Sequence, residues 1–243
     1  MLAWALYDWA NSAFATTVMA GFFPAFFRQY WSLGADPTVA TFRLGIANGL
    51  AGLIVALLAP LLGILADRSA RRRWFLLSWT VLGILATGAL YGIGRGQWQP
   101  AAALFVLATM GFNGAIVFYD ALLLQVAEPA DYDRVSAYGY ALGYLGGGLL
   151  FALNVVMTLH PQWFGLSTAA AAVRFSFLSV AIWWAVFSIP LFLGVRESRA
   201  PAAQRRAAWG ELRSTMRQIA AHRPLWLFLV AYWLYIDGVN TVI

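Results

Sequence analysis

A repeated polar motif lies inside two long apolar runs. Its side chains could bind a proton or a polar solute, and placing such side chains in a membrane costs free energy. Its two copies have the pattern Asp-x-x-Asn followed by a hydroxyl residue: Asp8, Asn11 and Ser12, then Asp237, Asn240 and Thr241. A carboxylate costs roughly 2.5–3.5 kcal/mol at the centre of a membrane helix, so its presence there indicates a function. Because a buried carboxylate couples protonation to conformation, the motif predicts a solute- or proton-binding site.

The first copy of the motif continues into a polar stripe. At about 100° per residue, Asp8, Asn11, Ser12 and Thr16 share one side of a helix that is otherwise rich in Phe, Trp and Leu. The stripe therefore faces protein or water, and two interpretations are open. In one, Asp8 satisfies backbone donors near the helix start and Asn11 bonds to a neighbouring helix. In the other, which the repetition favours, the stripe lines a central cavity between two halves.

The composition is that of a polytopic membrane protein. Hydrophobic residues make up 62% of the 243 residues and charged residues only 11%, which a water-soluble surface would not tolerate. All 16 basic residues are arginines in short loops, so no basic face is available for nucleic acid. The sequence has no cysteine, and its two histidines are isolated. We therefore expect a lipid-embedded protein with no metal, no cofactor and no enzymatic activity.

Apolar runs divide the chain into membrane spans. Crossing a hydrocarbon core of about 30 Å takes about 20 helical residues. Runs of this kind lie at about 4–27, 42–65, 74–94, 101–123, 135–158 and 173–194, and a seventh starts at residue 225. We predict an N-terminal six-helix half at 1–194, a cytoplasmic loop at 195–224 and a truncated seventh span at 225–243. Because the seventh run stops soon after its copy of the motif, we expect a longer protein, with residues also preceding Met1.

Arginine positions orient the spans. With the N-terminus in the cytoplasm, twelve of the 16 arginines fall in inner loops and four in outer ones, as the positive-inside rule requires. In the long inner loop, Leu212, Met216 and Ile219 have helical spacing among arginines. This pattern fits either an amphipathic helix in the membrane interface or a solvated connector.

Small residues mark one face of two spans. In the second span they are Gly45, Gly49, Gly52, Ala56, Ala59 and Gly63, beside Asn48, and in the fifth they are Ser136, Gly139, Gly143, Gly146 and Gly147. Small residues at four-residue spacing let helix backbones approach closely in lipid. Both faces are therefore predicted to be helix-packing surfaces.

The fourth span has its own polar side. Thr109, Asn113 and Asp120 share it, and Asp120 lies close to the inner end of the span. Asp120 is either a solvated interfacial carboxylate or the partner of an arginine in the cluster at 68–73. An ion pair of the second kind could open and close with a gate.

The loop between the second and third spans resembles a known signature. Gly63-Ile-Leu65-Ala-Asp67-Arg68-Ser-Ala70-Arg71-Arg72-Arg73 is similar to the Gly-x-Leu-x-Asp-Arg-x-Gly-Arg-[Arg/Lys]-[Arg/Lys] motif of the major facilitator superfamily, with Ala70 in place of the usual Gly. The resemblance implies a cytoplasmic gate formed by Asp67, Arg68, Arg71 and Arg72, with Asp120 as a further member.

Within that superfamily the chain resembles the vacuolar amino-acid effluxer-like family, first associated with autophagy in fungi. The similar segments are Tyr7-Asp8-Trp9-Ala10-Asn11-Ser12-Ala13-Phe14, Asp133-Arg134-Val135-Ser136, Gly143-Tyr144-Leu145-Gly146-Gly147-Gly148 and Asp237-Gly238-Val239-Asn240-Thr241. At Tyr119-Asp120 the chain has Asp where the family commonly has Asn. The resemblance implies an all-α integral membrane bundle of major facilitator type, made of a six-helix N-terminal half and the start of helix seven, whose partner is the missing C-terminal half.

The function implied is secondary active transport of a small polar solute by alternating access, with amino-acid efflux and proton coupling as expectations. The substrate or proton site is assigned to Asp8, Asn11, Ser12, Thr16 and Asn113, with Asp237, Asn240 and Thr241 from the second copy of the motif. A bacterial inner membrane is the expected location. The alternative is a non-transporting receptor or assembly scaffold with this fold, and substrate-dependent flux distinguishes the two.

Overall fold

The computed structural model describes residues 1–68, 71–195 and 222–242, apart from the side chains at 67, 68, 233 and 236–242. The predicted amphipathic helix in the 195–224 loop lies outside this description. The chain divides into two compact units, Met1–Arg199 and Ala200–Ile243. In the second unit, one apolar helix, α8, spans Arg223–Val242.

The first unit is built from helices. The chain first winds through α1 (Leu2–Ala13), π-helical turns at Phe14–Phe22, α2 (Phe23–Phe26) and further π-helical turns at Phe27–Trp31. Five long helices follow: α3 (Pro37–Arg68), α4 (Arg72–Ala89), α5 (Trp98–Val126), α6 (Tyr132–Leu159) and α7 (Ala169–Gly194). Short 3-10 turns lie at Leu90–Gly92, Pro129–Asp131 and Pro161–Phe164. Within the described ranges no residue belongs to a strand.

Five of the described helical stretches are long and apolar enough to cross a membrane, judged by length and composition. They are Pro37–Ala66, Arg72–Gly92, Trp98–Val126, Pro129–Leu159 and Ala169–Gly194. Each of the apolar runs between residues 42 and 194 in the sequence coincides with one of them. The run at 4–27 coincides with the segment from Leu2 to Trp31, in which α-helical and π-helical turns alternate.

Aromatic side chains fill two cores in the first unit. One core contains Phe14, Phe23, Phe27, Trp31 and Phe105, with Phe177 and Trp184 contributed by α7. The other surrounds the start of α1 and the end of α5, and includes Trp4, Tyr7, Phe118, Tyr119 and Leu122. The start of α1 is therefore held against the end of α5, two stretches more than a hundred residues apart in the chain.

The glycine face of α6 packs as predicted. A Cβ atom at Gly143 would lie 2.7 Å from Ser12 Oγ, and one at Gly146 would lie 2.5 Å from the Trp9 ring. At Gly147 it would lie 2.9 Å from the Ser12 carbonyl oxygen. Absence of side chains on this face is what lets α6 approach α1 so closely, and the prediction for the fifth span is confirmed.

The glycine face of α3 meets no other described residue. At Gly45, Gly49, Gly52 and Gly63, a Cβ atom would meet nothing within 4 Å among the described residues. A different face of α3 is buried instead: Ala40, Ala47 and Ala51 are 1–3% exposed, and the helix packs against α5. Alanine is small enough to permit this approach, and packing of the glycine face of the second span stays a prediction.

Candidate functional site

A cavity of about 280 Å³ lies among α1, α5 and α6 and contains two carboxylates. It is lined by Trp4, Asp8, Ile116, Tyr119, Asp120, Leu123, Ser136 and Tyr140. The sequence placed Asp8 in the solute or proton site and Asp120 in the cytoplasmic gate. The structure brings both carboxylates to the same cavity.

The position of each carboxylate in its helix explains why they meet. Asp8 lies six residues after Leu2 at the start of α1, and Asp120 lies six residues before Val126 at the end of α5. At a rise of 1.5 Å per residue, each is about 9 Å from its helix end. The indole nitrogen of Trp4 donates to the Tyr119 carbonyl oxygen at 3.1 Å, which fixes these two ends side by side. Both carboxylates therefore lie near the same end of the first unit.

Stacked aromatic rings form one wall of the cavity. The Trp4 and Tyr119 rings are parallel, with centroids 4.3 Å apart, and Tyr7 packs on Tyr119 at 5.0 Å. The Tyr7 hydroxyl is 2.7 Å from Thr80 Oγ1, which ties α1 to α4. Trp4 and Tyr119 line the cavity and are only 3–4% exposed, so they give it a closely packed aromatic wall.

The Tyr119 hydroxyl is a buried polar group that the wall leaves without a partner. Tyr119 is 4% exposed, and its hydroxyl has no hydrogen-bond partner among the described residues. The ideal Cβ position of Gly139 lies 3.3 Å from it, so only a glycine at that position leaves this much room. Buried hydroxyls are nearly always hydrogen-bonded in proteins. A ligand in the cavity would be able to supply the bond.

Asp8 is held by its own helix and by the close approach of α6. The Ser12 hydroxyl donates to Asp8 Oδ1 at 3.3 Å. A Cβ atom on Gly143 would lie 3.0 Å from both Cγ and Oδ2 of Asp8. The carboxyl group is therefore confined between the Ser12 hydroxyl and the backbone of α6, with its remaining surface towards the cavity.

Of the other members of the polar stripe, Thr16, just after α1, bonds to α6, and Asn11 is buried within the bundle. Thr16 Oγ1 donates to the Gly147 carbonyl oxygen on α6 at 3.2 Å and lies 3.0 Å from the Ser12 carbonyl oxygen of its own helix. Asn11 is 2% exposed, and its Oδ1 has no hydrogen-bond partner among the described residues. Neither residue lines the carboxylate cavity.

Asn113 lies elsewhere in the bundle. Its Nδ2 donates to the Thr109 carbonyl oxygen at 2.9 Å within α5. It faces a narrow gap bounded by α3 and α4 residues that include Leu58 and Trp79. The assignment of Asn113 to the solute site therefore has no direct contact with Asp8 to support it.

The predicted gate lies at the turn between α3 and α4. Arg72 opens α4, and its Nε donates to the Ala66 carbonyl oxygen on α3. Arg73 donates from its guanidinium to the Phe192 carbonyl oxygen on α7. Arg71 precedes α4 and is exposed. The side chains of Asp67 and Arg68 lie outside the described residues, so their ion pairs, and that of Asp120 with an arginine, stay predictions.

For the second copy of the motif, the structure describes the backbone but not the side chains. Asp237, Asn240 and Thr241 fall in α8, near its end at Val242. Their pairing with Asp8, Asn11 and Ser12 across two halves stays a prediction.

A larger groove has a different character. It measures about 770 Å³ and runs between α3 and α5, with an apolar lining that includes Ile46, Leu50 and Val106. The Arg43 guanidinium lies 4.2 Å from the centre of the Trp98 ring at one end. With one charged group and otherwise apolar walls, the groove lacks convergent polar groups for a polar solute. The carboxylate cavity is the better candidate site.

Sequence reasoning gave no site role to six of the eight residues that line the cavity. Trp4, Tyr119, Ser136 and Tyr140 line the cavity, but only the carboxylates were assigned roles there. One signal was present, because Trp4 and Trp233 occupy equivalent places before the two copies of the motif. For metal binding, no group of three or more suitable ligands occurs within the described part of the chain.

Comparison with known proteins gives a consistent family. The model of the family described as "Vacuole effluxer Atg22 like" matches residues 33–132 and 124–243. An uncharacterized MFS-type transporter, YxiO of Bacillus subtilis, is 33% identical over 99% of this chain and 58% of its own length. An uncharacterized protein of Aquifex aeolicus is 25% identical over the whole chain and 55% of its own length.

Fungal relatives match a shorter part. Autophagy-related protein 22-1 of Penicillium rubens is 28% identical over 45% of this chain and 20% of its own length. No solved structure matches the chain. The chain thus spans about half the length of the bacterial relatives that it matches from end to end.

Proposed function

Since the chain belongs to the Atg22-like vacuole effluxer family of the major facilitator superfamily, we propose that it is part of a secondary active transporter. The transporter moves a small polar solute across the membrane by alternating access. Its relatives include a protein named as an MFS-type transporter, and the matching family model is named for vacuolar efflux. These names favour export, with amino acids as the first solutes to test.

One observation carries the proposal: Asp8 and Asp120, from two different helices, line one cavity. Ionisable side chains inside a membrane protein are rare and face cavities or pathways for ions and solutes. Two of them in one cavity, beside a Tyr119 hydroxyl that has no hydrogen-bond partner among the described residues, form a polar site in an otherwise apolar bundle. Packing alone gives no reason for this concentration of polar groups.

Proton coupling is part of the proposal. Protonation of either carboxylate removes one of two like charges from the cavity, so proton uptake and release change the electrostatics that a bound solute meets. Asp8 also accepts from Ser12 on α1, and Ser12 contacts α6 at Gly143. A change of charge at Asp8 therefore acts directly on the contact between α1 and α6.

The proposed gate acts at the same end of the bundle. Hydrogen bonds from Arg72 to α3 and from Arg73 to α7 hold the start of α4 against both helices. Asp120 lies on α5, which packs against α3 and α4. We place Asp67, Arg68, Arg71 and Arg72 in a gate on the cytoplasmic face of a bacterial inner membrane, with the N-terminus on that side.

Transport in proteoliposomes tests the proposal. Radiolabelled amino acids are loaded, and their efflux is followed with and without a pH gradient. The wild-type protein is expected to show solute-dependent efflux that the gradient accelerates, and Asp8→Asn is expected to lower the rate about tenfold, the factor that corresponds to 1.4 kcal/mol.

A matched control separates this effect from a general loss of charge. Asp36→Asn makes the same chemical change at an exposed carboxylate in the loop before α3, and should leave efflux unchanged. Binding without flux would instead indicate a receptor or scaffold. Unchanged rate and pH dependence in Asp8→Asn combined with Asp237→Asn would remove both motif carboxylates from the mechanism.

A further inference from the structure

The carboxylate cavity has an uncompensated negative character. Asp8 and Asp120 both line it, and its other described lining residues are Trp4, Ile116, Tyr119, Leu123, Ser136 and Tyr140. None of these can carry a positive charge at neutral pH. A cleft lined by charges of one sign attracts ions of the opposite sign, so the cavity is complementary to a cation.

The apolar lining is suited to an organic cation. Trp4 and Tyr119 stack at 4.3 Å and form an aromatic wall, and Tyr140 contributes a third, exposed ring. Aromatic rings attract cations through the negative charge of their faces, and of these three rings Tyr140 is the one whose face is exposed. Ile116 and Leu123 add aliphatic surface. A strongly hydrated metal cation gains nothing from these groups, whereas an amine with an apolar body contacts all of them.

The Tyr119 hydroxyl points to a hydrogen-bonding ligand. Tyr119 is 4% exposed, and its buried hydroxyl has no hydrogen-bond partner among the described residues. Its oxygen is able to accept from an N–H group. An ammonium group has three donors, which matches three acceptors around the cavity: the two carboxylates and the phenol oxygen.

From these contacts we propose that the cavity binds the ammonium group of a small organic amine. The apolar body of the amine lies against Trp4 and Tyr119, and its ammonium group lies between Asp8 and Asp120. This inference deepens the proposed function, since it names the solute class of the same site. An anionic solute without an ammonium group is repelled by the two carboxylates, and a solute without a positively charged group leaves both of them uncompensated.

Three probes of similar shape and different charge test the inference. Benzylamine is a cation at neutral pH, benzyl alcohol is neutral and benzoate is an anion. Binding of each to the purified protein in detergent is measured by calorimetry. Benzylamine is expected to bind at least about tenfold more tightly than benzyl alcohol, because charged hydrogen bonds are the stronger ones. Benzoate is expected not to bind.

Variants at Asp120 assign the binding to this cavity. Asp120 is the more exposed of the two carboxylates, so its substitution leaves the helix contacts in place. Asp120→Asn is expected to weaken benzylamine binding about tenfold while binding of benzyl alcohol stays constant. Asp120→Glu keeps the charge and should restore most of the affinity. Asp36→Asn, the same change in a distant loop, should have no effect.

The outcomes separate this inference from the proposed function. Equal affinity for benzylamine and benzyl alcohol, or benzylamine binding that Asp120→Asn leaves unchanged, would overturn the inference even if the protein transports neutral solutes. Selective benzylamine binding that depends on Asp120 supports the inference even if no flux is seen in proteoliposomes. In that second case it is the proposal of transport that fails.

Discussion

A methyl group added at Gly143 tests whether the contact of α6 with α1 positions Asp8. Gly143 faces Ser12 and Asp8, and in Gly143→Ala the new Cβ would lie 2.7 Å from Ser12 Oγ and 3.0 Å from the Asp8 carboxyl group. Real Cβ atoms essentially never approach other atoms under 3.0 Å. Either Ser12 rotates and releases Asp8, or the two helices move apart.

The size of the effect follows from two opposing terms. Overpacking of this kind typically costs about 1–3 kcal/mol. Replacing glycine by alanine within a helix gains up to about 1 kcal/mol in helix propensity. Gly148→Ala supplies the matched control, since it makes the same change in the same helix at a position with nothing within 4 Å. The difference between the variants isolates the steric term, which we expect to be about 1–3 kcal/mol.

Reversible unfolding of the detergent-solubilised protein measures this difference. Gly148→Ala should be as stable as the wild type or slightly more stable, and Gly143→Ala should be less stable than Gly148→Ala. The same two proteins are then compared for benzylamine affinity, which Gly143→Ala should lower because Asp8 moves. If both variants unfold at the same denaturant concentration, the close contact at Gly143 is not what holds the two helices together.

Two further predictions concern single hydrogen bonds. Tyr7→Phe removes the 2.7 Å bond to Thr80 and leaves the buried Thr80 hydroxyl without that partner. The free energy of unfolding should fall by about 0.6–1.7 kcal/mol, from the average to the maximum for bonds between membrane helices. Adding Thr80→Val should recover part of this loss, and purely additive losses would contradict the reasoning. Bonds from the Thr38 backbone and side chain to Asp36, a fully exposed group, lower the pKa of the Asp36 carboxyl group. The stabilisation that the Asp36 carboxylate gives to the start of α3 is present above the unfolded-state pKa. It is lost as pH falls through the lower folded-state pKa. Hydrogen exchange at the Thr38 amide, which donates to Asp36 Oδ1 at 2.8 Å, should therefore lose protection on acidification. Asp36→Asn, whose side chain does not titrate, should show no such loss, and equal pH profiles would refute the assignment.

Periodicity predicted the helices but not which faces they bury. Length and hydropathy locate α3 to α7 because a membrane helix must satisfy its backbone internally over a fixed thickness. The small-residue spacing identified the packing face of α6 correctly, since Gly143 and Gly146 contact α1. In α3 the alanines rather than the glycines face α5, and the spacing did not identify that contact. A small residue permits close approach, but the partner helix decides which small residues are used.

The candidate site was predictable one residue at a time and not as an assembly. Each carboxylate stands out because ionisable groups in apolar runs are rare. That Asp8 and Asp120 share a cavity depends on the start of α1 meeting the end of α5, a contact fixed by the Trp4 bond to Tyr119. No local pattern encodes this contact. The two acids were given separate roles because Asp8 belongs to the repeated motif and Asp120 lies near the inner end of its span, beside the arginine cluster at 68–73. With one cavity holding both, a cation bound there contacts the proposed solute site and the proposed gate at once. Solute binding and gate movement are then linked through a shared charge, without a separate path between them.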